Sequence, residues 1–410
     1  MKTVWILNHH AVTPELGGGT RHYDFAKELL NRGYKVYIFA SSYIHNKYVN
    51  VLSKQESFKQ IDVEGINWIW INTKEYKGNG KNRIIGMMQY YFFMMKNYKR
   101  FPKPDYIIGS AVHLLACTAG YHISRRLGSM SICEIRDLWP ETLIELGSLK
   151  RGSIVARAMR WLEGYVYKKS NHIIVTAPGM IDYIEKVGIC RDKITYLNNG
   201  VSIKDYEERL AVTLSTEITQ HLRNQKFNVV YLGSIGVANA MDTLVEAAYI
   251  LKDSPEIQFT FIGDGPQKNN LKDNATKKGI ESIKFFDSIS KQSVPGVLAC
   301  ADCLVFSAKN SPIYKYGISA NKLFDYMYSA KPVIFAINAV NDFIKESGCG
   351  ISIPPEDANE LANAIFKIYS MNKEERKQMG EKGRAFVQEN FDIPILVDKL
   401  EEVFNSSSIK

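Results

Sequence analysis

Short apolar runs that alternate with amphipathic segments limit, more than any other feature, how this chain can fold. In the first half the runs are TVWILN, YKVYIFA, INWIWI, DYIIGS, SICEI, HIIVTA and ITYLN. After the turn Asn198-Asn199-Gly200 and a polar stretch, the series restarts with FNVVYLG, IQFTFIG, IKFF, DCLVF, KPVIFA and CGISI. Strands that alternate with helices predict βαβ units and a mainly parallel sheet. The pattern therefore indicates α/β folding, repeated in the two halves of the chain.

The restart of the alternation places a domain boundary near residue 200. We expect each half to form a doubly wound α/β domain, in which ligands bind outside the carboxyl ends of the strands. We predict a first domain over residues 1–199 and a second over 200–389, with a closing helix at about 390–410 that packs back on the first. A length of 410 residues suits two cores better than one.

The N-terminus and the cysteines indicate a cytoplasmic chain with free thiols. The opening MKTVWILNHH lacks the apolar core and cleavage site of a secretory signal, and it is typical of a buried strand. The six cysteines show no zinc-site spacing. The C-A-D-C run at 300–303 falls where a helix leads into a buried strand, which favours a structural role over metal or redox chemistry.

Basic charge is concentrated in two stretches, residues 74–103 and 150–171, whose excess exceeds the net charge of +9 for the whole chain. Such patches call for an anionic partner: membrane lipid, phosphate or nucleic acid. The apolar middle of residues 82–104 is too short to span a bilayer and is flanked by Lys and Arg, as in an interfacial helix. An ordinary core helix with a basic outer face is the alternative, and both can hold together.

Polar motifs follow two strands of the first half. Gly18 and Gly19 belong to a GGGTR loop that enters a helix, and a loop of this kind can approach a phosphate closely. A flexible turn without a ligand is the alternative. Asp137, in the sequence RDLWPE, follows the strand SICEI and could orient a sugar hydroxyl or an acceptor. Its alternative role is the N-cap of the next helix.

The second half repeats this arrangement. Gly233, Ser234 and Gly236 form a small-residue loop after the strand FNVVYL, and Asn239 lies at the start of the following helix. Asp264 stands between glycines in FIGDGP, directly after the next strand, where a tight turn would line the same region. We expect these loops to hold a diphosphate.

The order of GGGTR, RDLWPE, NNGV, YLGSIGVAN, FIGDGP and NKLFDYMYSAKPVI resembles the retaining glycosyltransferases of family 4. The likeness covers nearly the whole chain and is greatest to the bacterial capsule and O-antigen branch, which includes N-acetylfucosaminyltransferase-like enzymes. It implies the GT-B fold, in which two Rossmann-like domains face each other across a cleft. It also implies a donor that is a nucleoside diphosphate sugar.

The stretch SPIYKYGISANKLFDYMYSAKPVI carries the most specific part of this resemblance. Asp325 matches a family Glu that holds the two ribose hydroxyls, and a carboxylate can accept two hydrogen bonds from a vicinal diol. A solvated carboxylate on a helix face is the alternative. We expect Lys322 to lie at the diphosphate, and Tyr316 and Asn321 to be among the residues that bind the nucleotide sugar.

Two departures from the family stand out. Gly317 occupies the position of the family's first Glu, and GSIGVANAM lacks the Arg and Lys that many members have there. Lys322, Lys315 and the loop amides could take over those functions, or activity could be reduced.

The resemblance implies transfer, with retention, of an N-acetylated hexosamine or deoxyhexosamine from a UDP-sugar to an acceptor hydroxyl. We expect Asp137 and Lys322 to be catalytic, without cofactor or metal, because no D-x-D pair occurs. The expected partners are a polyprenyl diphosphate-linked saccharide and the anionic inner face of the cytoplasmic membrane, with no nucleic acid. The alternatives are a nucleotide-sugar epimerase of the same fold and a catalytically silent partner subunit.

Overall fold

The computed structural model describes residues 1–45, 47–78, 80–111, 113–145 and 147–406. The chain divides into two compact units. The first unit contains Met1–Asn198 and Ile393–Lys410, and the second contains Asn199–Asp392. Within the described ranges, no helix combines the length and the apolar character needed to cross a bilayer.

The first unit is built on an eight-stranded sheet with the order β10-β9-β8-β7-β1-β2-β6-β5, in which only the β5–β6 pair is antiparallel. A short antiparallel hairpin of β3 and β4 stands apart from it. The strands are β1 Thr3–Leu7, β2 Lys35–Ser41, β3 Tyr43–Ile44, β4 Val49–Asn50, β5 Phe58–Val63, β6 Ile66–Ile71, β7 Tyr106–Ser110, β8 Met130–Ile135, β9 His172–Val175 and β10 Ile194–Tyr196.

The helices of the first unit lie against this sheet. Side chains from α2 and α3, such as Tyr90, Met94 and Ile123, pack with Trp5 and Phe39 of the sheet in one apolar cluster. Burial of these large side chains stabilises the layer. The helices are α1 Arg21–Asn31, α2 Lys81–Asn97, α3 Leu114–Leu127, α4 Glu141–Glu145, α5 Ile154–Lys169, α6 Met180–Lys186 and, at the end of the chain, α16 Ile393–Ser406.

The closing helix begins at Ile393 and packs against α1, where Arg32 pairs with Glu401 at 2.6 Å. Residues 407–410 of the predicted segment lie outside the described residues. The apolar side chains of this closing helix, α16, among them Leu396, Leu400 and Phe404, are buried. Helical periodicity in IPILVDKLEEVF accounts for this buried face.

The second unit has a six-stranded, wholly parallel sheet with the order β13-β12-β11-β14-β15-β16. Its buried β-branched and aromatic runs are typical of strands covered on both faces. The strands are β11 Phe227–Leu232, β12 Ile257–Ile262, β13 Ile283–Phe286, β14 Cys303–Ser307, β15 Val333–Ala336 and β16 Gly350–Ile353. The helices are α7 Ile203–Arg209, α8 Thr216–Leu222, α9 Met241–Ile250, α10 Lys268–Lys277, α11 Val294–Ala299, α12 Asn321–Tyr328, α13 Phe343–Ser347, α14 Ala358–Ser370 and α15 Lys373–Asn390.

The parallel α/β prediction is confirmed, and each apolar run that the sequence singled out forms a strand. The sequence analysis missed β3, β4 and β5. Strand β5, at the edge of the sheet, mixes half-buried and exposed residues and has no continuous apolar run.

Both sheets reverse their strand order at one point. In the first unit, β1 lies between β2 on one side and β7 on the other. In the second unit, β11 lies between β12 and β14. Doubly wound folds bind ligands beyond the carboxyl ends of the strands at such a point. These two positions are therefore where functional side chains are expected.

Candidate functional site

A half-buried lysine, Lys322, marks the strand-order reversal of the second unit. The ammonium of Lys322 donates to the hydroxyl of Tyr231 at 3.0 Å and lies over the rings of Tyr231 and Phe306, with centroids at 4.4 and 4.7 Å. Tyr231 belongs to β11 and Phe306 to β14, the two strands on either side of the reversal. Among the described residues Lys322 makes no ion pair with a carboxylate. Burial lowers the pKa of Lys322 to about 7.

The loop after β11 lies directly against this ammonium. A Cβ at Gly233 would come within 3.4 Å of Lys322 Nζ, so the absence of a side chain lets the cation reach the loop backbone. Tyr231 donates to the Ser234 carbonyl at 2.6 Å. The side-chain amide of Asn239 donates to the same carbonyl at 2.9 Å, and its oxygen accepts from Lys322 at 3.4 Å. The predicted residues Ser234, Asn239 and Lys322 are thus in one hydrogen-bonded group.

The FIGDGP turn packs tightly on the loop that contains Ser234 and Gly236. The Ile235 amide donates to the Asp264 carbonyl at 2.9 Å. A Cβ at Gly263 would lie 1.8 Å from the Gly233 carbonyl oxygen, and a Cβ at Gly265 would lie 2.3 Å from that of Ile235. The glycines of the turn are therefore required for backbone contact between the two loops.

The Asp264 side chain is engaged by its own turn. Its carboxylate accepts from Lys268 Nζ at 2.8 Å and from the Ser288 amide at 2.9 Å. These bonds lower its pKa to about 2. The bond to Ser288 connects the FIGDGP turn to the residues that follow β13. Asp264 therefore stabilises the turn and is also a candidate residue for binding the nucleotide sugar.

Asp325 lies one turn after Lys322 on α12 and is half-buried. Burial raises its pKa, while Lys291 and Arg209 partly offset the rise. The alternative of a freely solvated helix-face carboxylate is therefore wrong. The neighbouring Tyr326 fixes α12 on β11, since its hydroxyl donates to the Leu232 carbonyl at 2.9 Å and accepts from the Leu232 amide at 2.7 Å.

The segment before α12 contains the remaining predicted residues of this unit. Tyr316 ends a short 3₁₀ turn, and the Lys315 ammonium lies 4.9 Å from the centroid of its ring. Asn321 begins α12. Gly317 has a φ of 99°, a conformation that side-chain-bearing residues rarely adopt. Asn199 donates from its amide to the Ser319 hydroxyl at 3.1 Å and so tethers this segment to the start of the unit.

In the first unit, the glycine loop enters α1 as predicted, with Gly18 and Gly19 exposed. Arg21, the first residue of α1, is buried and donates to Glu134 at 2.9 Å. His22 lies 2.7 Å from the other oxygen of Glu134. Burial acts to raise the pKa of Glu134, but the Arg21 guanidinium and the contact with His22 hold it well below its usual range. This buried network anchors the end of the glycine loop.

Asp137 follows β8 and its side chain is exposed. Protein atoms around the carboxyl raise its pKa, and Arg136 and Arg83 oppose that rise. Helix α4 begins four residues later, at Glu141, so Asp137 does not directly precede its first residue as an N-cap does. The alternative role as an N-cap is therefore wrong.

Histidines that the sequence analysis did not select lie at the strand-order reversal of the first unit. His9 follows β1 and His113 follows β7, and their ring centroids are 4.9 Å apart. His10 adjoins His9 and lies 3.1 Å from the hydroxyl of Tyr76. Burial holds the pKa of His9 well below its usual value and lowers that of His113 to about 3. Within the described ranges these residues do not form a metal-ligand cluster.

A sequence signal for the histidines existed, because NHH directly follows the first strand. The contacts of Lys322 with Tyr231 and Phe306 had no such signal, because these residues are far apart in the sequence and meet only through the order of the strands.

Two family models match consecutive parts of the chain. Residues 16–205 match the model described as Glycosyltransferase Family 4, and residues 226–371 match the one described as Glycosyl transferases group 1. The probable glycosyltransferase WbjE of Pseudomonas aeruginosa is 21% identical over 334 residues, covering 79% of this chain and 82% of that protein. WcaI of Escherichia coli, named for glycosyl transfer in colanic acid biosynthesis, is 27% identical over 217 residues, which is 52% of each chain.

Solved structures are similar over the full length. Sucrose-phosphate synthase from Thermosynechococcus elongatus aligns with a TM-score of 0.75 at 17% identity and covers 99% of this chain and 100% of that chain. Alr3699/HepE of Anabaena, solved in complex with UDP, aligns with a TM-score of 0.68 at 14% identity over 99% of this chain and 100% of that chain. At these identities the likeness concerns the fold.

Proposed function

Because the chain is a glycosyltransferase with the GT-B fold, we propose that it transfers a sugar from a nucleoside diphosphate sugar to an acceptor hydroxyl in polysaccharide biosynthesis. The fold agrees with the sequence-based prediction. The pathway is supported by the relative WcaI, whose name gives colanic acid biosynthesis. The donor is a UDP-sugar, and the UDP complex of the structural relative HepE supports that nucleotide.

The position of Lys322 is the observation that carries this proposal. The Lys322 ammonium lies against Tyr231, Phe306 and the Gly233 loop and has no carboxylate partner among the described residues, so it has lost part of its hydration without gaining an opposite charge. A bound diphosphate would supply that charge beside the loop amides. Lys322 then takes the place of the Arg and Lys that GSIGVANAM lacks.

The reaction breaks the bond between the anomeric carbon and the diphosphate oxygen, forms a bond from that carbon to the acceptor oxygen, and releases the nucleoside diphosphate and the proton of the acceptor hydroxyl. Negative charge grows on the departing diphosphate, so fixed donors beside it favour the transition state. Lys322 and the amides around Ser234 and Gly236 are such donors, and they perform this role without a metal ion. In the first unit, the loop of Gly18 and Gly19 is proposed to bind phosphate, and Asp137 to orient a sugar or acceptor hydroxyl.

The nucleoside is proposed to be held by α12 and the segment before it. Asp325 accepts the two ribose hydroxyls, and its elevated pKa reflects a burial cost that these hydrogen bonds would offset. Tyr316 and Asn321 flank the same helix start. The transferred sugar is an N-acetylated hexosamine or deoxyhexosamine, delivered with retention, as the sequence resemblance implies.

The acceptor is proposed to be a saccharide on a polyprenyl diphosphate, which requires contact with an anionic membrane. Residues 82–104 supply that contact. The predicted basic outer face of α2 is corrected by the structure, because its middle is apolar and the cations lie near its ends. Changing Lys96, Lys99, Arg100 and Lys103 to Ser should reduce binding to anionic vesicles and leave UDP affinity unchanged.

A catalytically silent partner subunit is the second candidate, favoured by Gly317. The family's first Glu is absent there, and the positive φ of 99° would strain any residue that restored a carboxylate. A silent partner would bind nucleotide and show no turnover.

A donor scan with product analysis tests the proposal. Purified protein is incubated with a panel of UDP-linked N-acetylated sugars and a polyprenyl diphosphate-linked saccharide, and the anomeric configuration of the product is read by NMR. We expect one donor to give an acceptor-dependent product with retained configuration. Binding of UDP without turnover would support the silent partner, and release of free sugar without an acceptor would support an epimerase.

A further inference from the structure

Two helices of the first unit, α2 and α5, expose apolar side chains to solvent. Phe92 of α2 is 59% exposed and Trp161 of α5 is 71% exposed. They belong to stripes at helical spacing, so each stripe runs along one face of its helix. The exposed apolar residues are Ile84, Ile85, Met88 and Phe92 on α2, and Ile154, Val155 and Trp161 on α5.

The two helices flank α3 in one layer. The Tyr91 hydroxyl of α2 lies 2.9 Å from His122 Nδ1 of α3, and His122 Nε2 lies 3.1 Å from the Tyr165 hydroxyl of α5. The indole of Trp161 stacks on Tyr165 with centroids 5.7 Å apart and an interplanar angle of 14°. Most of α3 is buried, so α2 and α5 form the outer surface, which we call the α2–α5 face.

The α2–α5 face has an exposed charge of one sign. Helix α2 contains no acidic residue, and the single one of α5, Glu163, is buried and accepts from Tyr167 and Tyr183. Burial raises the pKa of Glu163 to about 7. The exposed cations on and beside the two helices are Lys81, Lys96, Lys99, Arg100, Arg157, Lys168 and Lys169.

Acidic groups near the start of α5 are already neutralised. Glu141 accepts from Arg160 at 2.8 Å, and Glu145 accepts from Arg151 at 3.1 Å. They leave the cations further along α5 unopposed. Exposed aromatic and aliphatic side chains within a field of Lys and Arg are what interfacial helices present to lipid.

We propose that the α2–α5 face docks on an anionic bilayer and that α5 inserts Trp161 beside the stripe of α2. The inference rests on the proposed function, which requires a lipid-linked acceptor, and it adds α5 as a second contact element. An anionic surface complements the cations while the apolar stripes enter the headgroup region. A second copy of the chain would instead place like charges opposite one another.

Trp161 is itself the probe of this contact. Trp5, Trp68 and Trp70 are buried and Trp139 is half-buried, so a change of solvent at the surface alters mainly the emission of Trp161. The full chain is titrated with vesicles of phosphatidylglycerol and phosphatidylcholine, and with vesicles of phosphatidylcholine alone. We expect a blue shift with the anionic vesicles that is reversed by salt, and quenching by brominated lipid.

Serine variants separate the two helices. Trp161→Ser and Phe92→Ser should each weaken vesicle binding roughly tenfold, because each removes a large apolar side chain from the lipid contact. Phe366→Ser is the matched control, since Phe366 is 49% exposed on the second unit. It should bind as the unchanged chain does.

Three results would overturn the inference. The first is an unshifted Trp161 emission on anionic vesicles although Phe92→Ser weakens vesicle binding, and the second is equal binding to neutral and anionic vesicles. The third is a shift of Trp161 emission that depends on protein concentration without lipid, which would indicate pairing of two copies. Turnover is measured in parallel with a water-soluble acceptor saccharide. If the unchanged protein turns over the soluble acceptor but does not bind anionic vesicles, this inference fails and the proposed function stands. Absence of turnover with the soluble acceptor would instead count against the proposed function.

Discussion

The Lys322 ammonium lies 3.0 Å from the Tyr231 hydroxyl, at the point where the strand order of the second unit reverses. Tyr231 in turn donates to the Ser234 carbonyl, so the cation is held against the loop that we propose for the diphosphate. Keeping the Lys322 ammonium at this position lowers the stability of the fold, because burial disfavours its charged form. Function and stability should therefore respond in opposite directions to its removal.

Lys322→Met should weaken UDP binding by about 1.5 to 3 kcal/mol, the range of a hydrogen bond to a charged group. It should also raise the free energy of unfolding by about 1 to 3 kcal/mol, because a half-buried ammonium without a carboxylate partner among the described residues is replaced by an apolar side chain. Calorimetry and urea unfolding measure the two quantities. Lys331→Met is the control, since burial also lowers the pKa of Lys331, which has no contact with the loop. Equal UDP affinity in the two variants would contradict a diphosphate role.

Gly263→Ala should separate the two loops of the donor site. Its Cβ would lie 1.8 Å from the Gly233 carbonyl oxygen, so the backbone must move, at a cost of about 3 kcal/mol or more. Gly279→Ala is the matched control: φ is also positive, but no atom lies within 4 Å, and the cost should be about 1 kcal/mol. Urea unfolding and UDP affinity are measured for both. Similar effects in the two variants would mean that contact between the loops does not matter.

Asp325→Asn should remove discrimination between UDP and its 2′-deoxy analogue. The unchanged protein should prefer UDP by about 1.5 to 3 kcal/mol if the carboxylate holds the ribose hydroxyls. The amide retains the size of the side chain and loses the charge. Calorimetry with both nucleotides gives the comparison. A preference that survives in the variant would assign the ribose contact to another residue.

The buried histidines should make the first unit sensitive to acid. The folded pKa of His113 is about 3, below the value of about 6.5 expected for an unfolded chain. Between these values the unfolded state binds a proton that the folded state does not, so stability falls as the pH falls below about 6.5, by about 1.4 kcal/mol per pH unit for each such histidine.

His113→Phe should reduce the slope of the free energy of unfolding against pH by about 1.4 kcal/mol per pH unit, which corresponds to one proton. It should change stability little at pH 7. His45→Phe is the comparison: His45 is an exposed residue, and burial lowers its pKa too, so its replacement should flatten the slope less than that of His113. Thermal unfolding followed across the acid range gives the slopes. An unchanged slope in His113→Phe would mean that His113 is not the group held neutral by burial.

The sequence predicted most of the fold because buried parallel strands are local and continuous. The segments FNVVYL and DCLVF, for example, could be predicted as strands from their own apolar residues, without knowledge of their neighbours in the sheet. The edge strand Phe58–Val63 was missed because it mixes half-buried and exposed positions without a continuous apolar run, and its pairing with β6 is known only from the sheet.

The candidate site was predictable in part. Small-residue loops after strands can be found in the sequence, and this located Ser234 and Gly236. The enclosure of Lys322 by Tyr231 and Phe306 depends on which strands become neighbours, and β11 pairs with β14 across some seventy residues of chain, Val229 with Cys303. The burial of Asp325 depends likewise on how α12 is fixed by Tyr326. Such contacts arise from topology, which local pattern does not specify.

Proton uptake on UDP binding tests the central claim most directly. With a pKa of about 7 in the free protein, Lys322 is partly neutral just above that pH, and a bound diphosphate should restore its proton. Calorimetric titrations in buffers of different ionisation enthalpy give the number of protons taken up. The account predicts a fraction of a proton near pH 7 that rises towards one as the pH increases, and none in Lys322→Met. Uptake that is absent in the unchanged protein, or the same in the variant, would contradict the assignment of Lys322 to the diphosphate.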